Sequence, residues 1–221
     1  SPLIVLKSCN QVWNYGYGMV EDLNRDCRVN LVDVAMVTSE WLQSNFNTTL
    51  IAEDASKRVL QPTAEYPVDD SWKGGQSFDD SSWNDYSYIS DKLGAVGYEL
   101  SSGFQDYISY DIGGVNGNLT RYIRIHFSVN ESDLSLFTEL TLRMRYDDAF
   151  VAYINGEEVT RSDYVPTSLT WDSGAVNSHD DSLAIQFENF DISDHISILH
   201  AGDNVLALHA LNYLTSSSDF L

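Results

Sequence analysis

Basic residues are scarce: 12 Lys and Arg stand against 33 Asp and Glu in 221 residues, a formal net charge of −21. Charge of that sign repels a phosphate backbone instead of releasing its counterions, which argues against nucleic acid as a partner, and it is repelled equally by an anionic leaflet. Long hydrophobic runs are missing as well. Hydrophobic residues make up 43% of the chain, yet no apolar stretch approaches the roughly 18 to 20 residues of a spanning helix, so no membrane span is expected. The start, Ser1-Pro2-Leu3-Ile4-Val5, lacks the basic segment and small-residue cleavage site of a secretion signal. The expectation is a segment from inside a longer protein, and Ser218-Asp219-Phe220-Leu221 reads as a strand cut short.

The simple catalytic signatures are also missing. None of the histidines, His126, His179, His195, His200 and His209, forms the paired spacing of a helix-borne zinc site, and there is no Gly-x-Ser-x-Gly elbow. No Gly-rich phosphate loop is present; Gly113-Gly114-Val115-Asn116-Gly117 reads as a turn between strands. With 33 carboxylates some pair always falls at a workable separation for glycoside cleavage. That abundance makes a pair uninformative, and the expectation is a protein that is not an enzyme.

Aromatics are plentiful, with 13 Tyr, 9 Phe and 5 Trp, as a folded chain requires and an acidic disordered tail lacks. From Leu31 to Leu42 the apolar residues recur at three- and four-residue steps, predicting one amphipathic helix. Beyond Asn45 the period changes to two. Ile123, Ile125 and Phe127 alternate with Tyr122, Arg124 and His126, and Leu140, Leu142, Met144 and Tyr146 alternate with Thr141, Arg143 and Arg145. These are half-buried strands. Phe150 to Ile154 runs into Asn155-Gly156 and Glu157-Glu158-Val159, a two-residue hairpin whose central residues both need positive φ. Tyr107 to Ile112, Leu183 to Phe190 and Val205 to Leu211 are further strand candidates, and Ser193 to Leu199 a helical turn capped by Asp191 or Ser193 and ended by Gly202. The fold class expected is mainly β, a β-sandwich over 51–221 behind a small helical module over 1–50.

The strongest chemical motif is Asp22-Leu23-Asn24-Arg25-Asp26-Cys27-Arg28-Val29-Asn30-Leu31-Val32-Asp33. Asp22, Asn24, Asp26, Asn30 and Asp33 put side-chain oxygens at positions one, three, five, nine and twelve of a twelve-residue loop, and Arg28 at seven offers its carbonyl. A hard cation such as calcium takes six or more oxygens, and a tight loop entering a helix converges alternate side chains on one point. An ion-free Asp/Asn-rich loop capping the helix is the bland alternative. Asp33 stands where an EF-hand has Glu, and Cys27 where it has Gly. The loop with Leu31 to Leu42 resembles one calcium-loop-and-helix repeat of a dockerin type I module, of the cysteine-containing variety found on extracellular proteins of planctomycete-like bacteria. Those modules carry two repeats and bind cohesins; this chain shows one, which reads as a calcium-locked cap on its neighbour. Cys9 and Cys27 are expected to form a disulfide closing about 18 residues, worth ~3 kcal/mol in the loop-entropy account, with two buried thiols as the alternative. A disulfide implies an extracellular, cell-surface or periplasmic setting.

From about Trp72 onward the carrying stretches are Phe78-Asp79-Asp80-Ser81-Ser82-Trp83, Arg145-Tyr146-Asp147-Asp148-Ala149-Phe150 through Val159, and Gly202-Asp203-Asn204-Val205 through His209. In that order they resemble galactose-binding-like jelly-roll domains, similar to the sugar-binding sandwich of family 2 glycoside hydrolases. The resemblance implies a fold more than a ligand, because such sandwiches bind sugars, brace neighbouring domains or join proteins. Trp83 is expected in the core. Trp171, in the polar loop Ser168 to Gly174, is either a loop anchor or a stacking platform for a sugar ring. Asp147 and Asp148 read foremost as solvated strand-end carboxylates, with sugar hydroxyls or a second calcium as the alternatives. Asn47, Asn118 and Asn130 head glycosylation-type triplets and serve as weak surface markers. The function expected is a non-catalytic module that binds calcium and carbohydrate. Its rival is a structural or adhesive subunit that self-associates or contacts neighbouring extracellular domains, through the sandwich and the β-prone run Leu3-Ile4-Val5-Leu6.

Overall fold

The computed structural model describes Arg28 and residues 48–221, apart from 68, 75–76, 84–86, 101–102 and 116. The chain divides into two compact units, Ser1–Thr49 and Leu50–Leu221. The helix expected over Leu31 to Leu42, the run Leu3 to Leu6, Cys9 and Cys27, and Asp22, Asn24, Asp26, Asn30 and Asp33 all lie outside the described residues; Arg28 is exposed. No helix among the described residues is long and apolar enough to cross a membrane.

The second unit is mainly β. Its spine is the antiparallel pair β5 (Thr120–Val129) and β10 (Gly202–Leu211), in register from Leu211 against Thr120 to Gly202 against Val129. β1 (Arg58–Leu60) flanks β5, while β7 (Ala149–Ile154) and β8 (Glu157–Arg161) continue beyond β10, giving the five-stranded order β1-β5-β10-β7-β8. Asn155 and Gly156 join β7 to β8 with φ of 51° and 96°. Two positive φ values are what a type I′ turn demands, so the dipeptide specifies this hairpin locally.

Alternation along β5 sorts its side chains. Ile123, Ile125 and Phe127 face the main core with Leu206, Leu208 and Ala210 of β10 and Phe150, Ala152 and Ile154 of β7. The same core takes residues from a second sheet, ordered β11 (Asp219–Phe220), β3 (Ala95–Glu99), β4 (Ile108–Asp111) and β2 (Ser87–Tyr88). Val96, Tyr98, Tyr110 and Phe220 enter from there, and Leu142, Met144 and Phe190 from the two-stranded pair β6 (Thr141–Met144) and β9 (Glu188–Asp191).

The other face of the five-stranded sheet, expected to be wet, is covered. The 3-10 turn Asp70–Lys73 lays Trp72 flat on Tyr122, with ring centroids 3.8 Å apart, and Trp83 joins the same cluster with Val151, Tyr153, Val205 and Ala207. Arg124 is thereby fully buried; its Nε donates to Asp80 Oδ2 at 2.7 Å, and its guanidinium also donates to the carbonyls of Trp72 and Gly74. His126 meets the same Asp80 oxygen at 2.7 Å. A period of two identifies faces but cannot announce a strap laid over one of them.

Two expected elements differ. Leu183 to Phe190 is not one strand: α2 (Asp181–Ala184) comes first, with Asp180 Oδ1 accepting from the Ser182 amide at 2.8 Å, and β9 follows. The Asp-Asp-Ser cap outweighs the apolar run behind it. At Ser193–Ile198 the turn is 3-10, but its N-cap is Ile192 and not Asp191 or Ser193; Asp191, the last residue of β9, still accepts from the Ser193 amide, and the turn ends at Leu199 while Gly202 opens β10. A short helix, α1 (Glu131–Leu134), lies between β5 and β6.

Candidate functional site

Chemistry-bearing residues gather at one end of the five-stranded sheet, where β5 and β7 begin and β8 and β10 finish. Asp147 and Asp148 precede β7 and are joined by a cis peptide. They are not solvated: 2% and 3% of their surfaces are exposed. Asp148 Oδ1 accepts from the His179 amide at 2.8 Å and Oδ2 from the Tyr213 amide at 2.7 Å. Their own amides donate to the carbonyls of Leu221 and Leu211, at 3.0 and 3.1 Å. Both carboxylates are buried because the loop after β8, the segment after β10 and strand β11 all close over the start of β7. Sequence spacing carries no record of that closure.

Three residues not singled out from the sequence join them. Asn212 is buried and donates from Nδ2 to the Asp219 carbonyl at 2.9 Å, and its own carbonyl accepts from Ala175. Asp219 is buried and accepts from the Ser217 and Ser218 hydroxyls at 2.9 and 3.3 Å. Asp181, at the start of α2, is exposed, and its carboxyl is raised by desolvation and by the charge of Asp219. Burial, then the charges of Asp148 and Asp219, hold the Asp147 carboxyl well above the usual carboxylate range. Asp147 Oδ2 and Asn212 Oδ1 are buried with no hydrogen-bond partner among the described residues. The only sequence signal was the doublet Asp147-Asp148 itself.

Trp171 sits at the same end on the tight turn Thr170–Ser173. The Ser173 hydroxyl accepts from the Thr170 amide at 2.8 Å, Thr120 Oγ1 donates to the Ser173 carbonyl at 2.7 Å, and Asn118 Nδ2 donates to the Trp171 carbonyl at 3.3 Å. The backbone is therefore tied to the start of β5, while the side chain is 36% exposed and belongs to none of the core clusters. Trp72 and Trp83, by contrast, are each 2% exposed. Asn118 is not a surface marker: it is buried, and its amide nitrogen is committed to Pro62 and Trp171 carbonyls. Among the described residues no three Asp, Glu, His or Cys side chains converge as a metal-ligand set. A cation at this end would need amide or main-chain oxygens as well.

No family model and no curated protein matches the chain. Among solved structures it is similar to a β-glucuronidase from glycoside hydrolase family 2, at 14% identity over 74% of this chain and 14% of that one, TM-score 0.37. A Bacteroides uniformis β-glucuronidase aligns at 16% identity over 73% and 14%, TM-score 0.39. A family 2 glycosyl hydrolase from Bacteroides cellulosilyticus aligns at 12% identity over 77% and 20%, TM-score 0.39. The chain thus spans between about a seventh and a fifth of these proteins. The likeness is weak in sequence and in superposition, and the functional reading rests on the residues.

Proposed function

We propose that the chain is a non-catalytic module of a larger secreted or cell-surface bacterial protein. In this reading it binds calcium through Asp22, Asn24, Asp26, the Arg28 carbonyl, Asn30 and Asp33, and binds carbohydrate through a jelly-roll β-sandwich formed by residues 51–221. The observation that carries the carbohydrate reading is Trp171, an exposed indole on a turn whose main chain is held from below at Asn118 and Thr120. A sugar stacks its apolar C–H face on such a ring, and a ring presented from an anchored main chain has less backbone freedom to lose on binding. Asp172 beside it, with Oδ1 held by the Thr170 hydroxyl at 2.8 Å, is a ready acceptor for sugar hydroxyls. Asp147 and Asp148 lie too deep for that contact, and the Asp148 carboxylate instead holds the main chain at His179 and Tyr213.

The test is binding of the full chain, in calcium, to a panel of soluble and insoluble polysaccharides beside Trp171→Ala. Saturable binding weakened tenfold or more in the variant is the expected result, the loss typical of a central aromatic anchor. No binding across the panel, or binding indifferent to Trp171, sinks the reading. The calcium loop is tested separately: Asp26→Ala with Asn30→Ala should lower calcium affinity without unfolding the β unit.

One observation favours the structural or adhesive rival. Tyr88 in β2, at an edge of the four-stranded sheet, and Ile89 and Leu93 in the segment after it are 63%, 40% and 43% exposed. An exposed apolar edge is a docking place for another chain. Concentration-dependent sedimentation abolished by Tyr88→Lys would select this reading, and a monomer at all concentrations would remove it.

A further inference from the structure

We propose that Asp147, Asp148 and Asn212 hold a hard divalent cation of the calcium class at the end of the five-stranded sheet, a second site separate from the loop Asp22–Asp33. Three observations converge on it. Two consecutive carboxylates are almost wholly buried, and such charges persist inside a protein when paired or coordinated. Asp148 takes one main-chain N–H on each oxygen and retains further lone pairs, while Asp147 Oδ2 has no hydrogen-bond partner among the described residues. Independently of the acids, the side-chain oxygen of Asn212, a residue 1% exposed, is also without a partner.

Asn212 is anchored toward the same spot from two directions. Its Nδ2 is held on the Asp219 carbonyl, and the next amide, Tyr213, is held on Asp148. The Tyr98 phenol marks the convergence: burial raises it, the charges of Asp219 and Asp147 raise it further, and Asn212 and Arg121 act in the opposite direction. The Arg121 guanidinium donates to the carbonyls of Asn118, Thr120, Gly114 and Val115 at 2.7 to 3.2 Å. The donors are oxygens alone, two carboxylates and an amide, which selects calcium over zinc or copper. Main-chain oxygens and water would complete the six or more ligands calcium takes. Asp219 and exposed Asp181 add negative charge around the site, and the chain's net −21 favours cation capture.

The experiment uses the full chain carrying Asp26→Ala and Asn30→Ala, so that the loop Asp22–Asp33 is silenced and failure of either calcium site is read by itself. After stripping with EDTA, calcium chloride is titrated calorimetrically and the unfolding temperature is followed, with magnesium chloride as control. The expected result is one equivalent of calcium bound and a rise in unfolding temperature. Asp147→Asn, which keeps shape and loses charge, should weaken binding at least tenfold, and Asn212→Ser should weaken it several-fold. Cooperative unfolding of both variants in EDTA verifies that they fold. Absence of calcium binding in the silenced chain overturns the proposal; binding unchanged in folded Asp147→Asn overturns the ligand assignment.

Discussion

His209 shows how far burial can carry a single group. It is 2% exposed, its Nε2 lies 3.2 Å from Thr120 Oγ1, and its ring packs edge-on to Tyr122. Burial first, and then the positive charge of Lys73, lower it from 6.5 to about 3. The unfolded chain therefore binds this proton more readily than the folded one. The stability is fully present above about pH 6.5 and declines as pH falls toward about 3. Between pH 7.5 and 5 the expected loss from this group is about 2 kcal/mol, measured by urea unfolding and diminished in His209→Gln. An unchanged pH dependence in that variant would remove His209 as the cause. Asp80 acts lower on the scale: burial alone would raise it, but hydrogen bonds from Arg124 and His126 prevail and depress it. Its contribution is present above about pH 4 and lost below. Asp80→Ala, which strands the buried Arg124 charge, should cost about 3 kcal/mol in denaturant unfolding; a cost under about 1 kcal/mol would mean the Trp72 and Gly74 carbonyls suffice.

Among the elements, β11 is the smallest and the most consequential. Its two residues pair with Tyr98 and Glu99 of β3, and the pairing carries Asp219 and the Leu221 carbonyl to Asp147 and Asn212. The approach is possible because β3 has Gly97 there: a Cβ at that position would fall 2.1 Å from the Phe220 carbonyl oxygen. Gly97→Ala is expected to displace β11 and destabilise by about 1 to 3 kcal/mol, the range for overpacking a close contact. Because the cation site leans on β11, calcium affinity at Asp147 and Asp148 should fall with it. Retained stability in Gly97→Ala would show that β11 adjusts freely. The β7–β8 hairpin has a different character. Asn155, besides its positive φ, donates to the Ile198 carbonyl and Asn204 and accepts from the Val205 amide, so one turn residue ties the hairpin to the start of β10.

For the whole molecule, a net charge of −21 sets a general response. Self-repulsion opposes compaction, and raising ionic strength from about 0.01 to 0.15 M shortens the screening length from about 30 to 8 Å. The unfolding temperature at pH 7.5 should therefore rise with sodium chloride, measured in EDTA so that calcium does not contribute. A flat or falling curve would mean that the acids are already locally compensated.

Features that depend on neighbours along the chain are readable without the fold. The alternation along β5, the strand at Val205 to Leu211, the Asn155-Gly156 turn and the strand character of Asp219-Phe220 are legible because side-chain alternation, strand propensity and positive φ are local demands. Trp83 as a core residue was legible too, from its place beside strand-like segments. The calcium loop Asp22–Asp33 stands as a reading of spacing alone, outside the described residues. The remainder came from packing between distant segments. That packing placed Trp72 and the Arg124–Asp80 pair over a face the pattern left open to water, broke Leu183 to Phe190 into a helix and a strand, and buried Asn118. It turned Asp147 and Asp148 from strand-end acids into an enclosed pair by bringing Asn212 and Asp219 from 64 to 72 residues away. The reason is physical: burial and the desolvation that follows from it depend on what folds over a residue, and distant segments of chain leave no trace in local spacing.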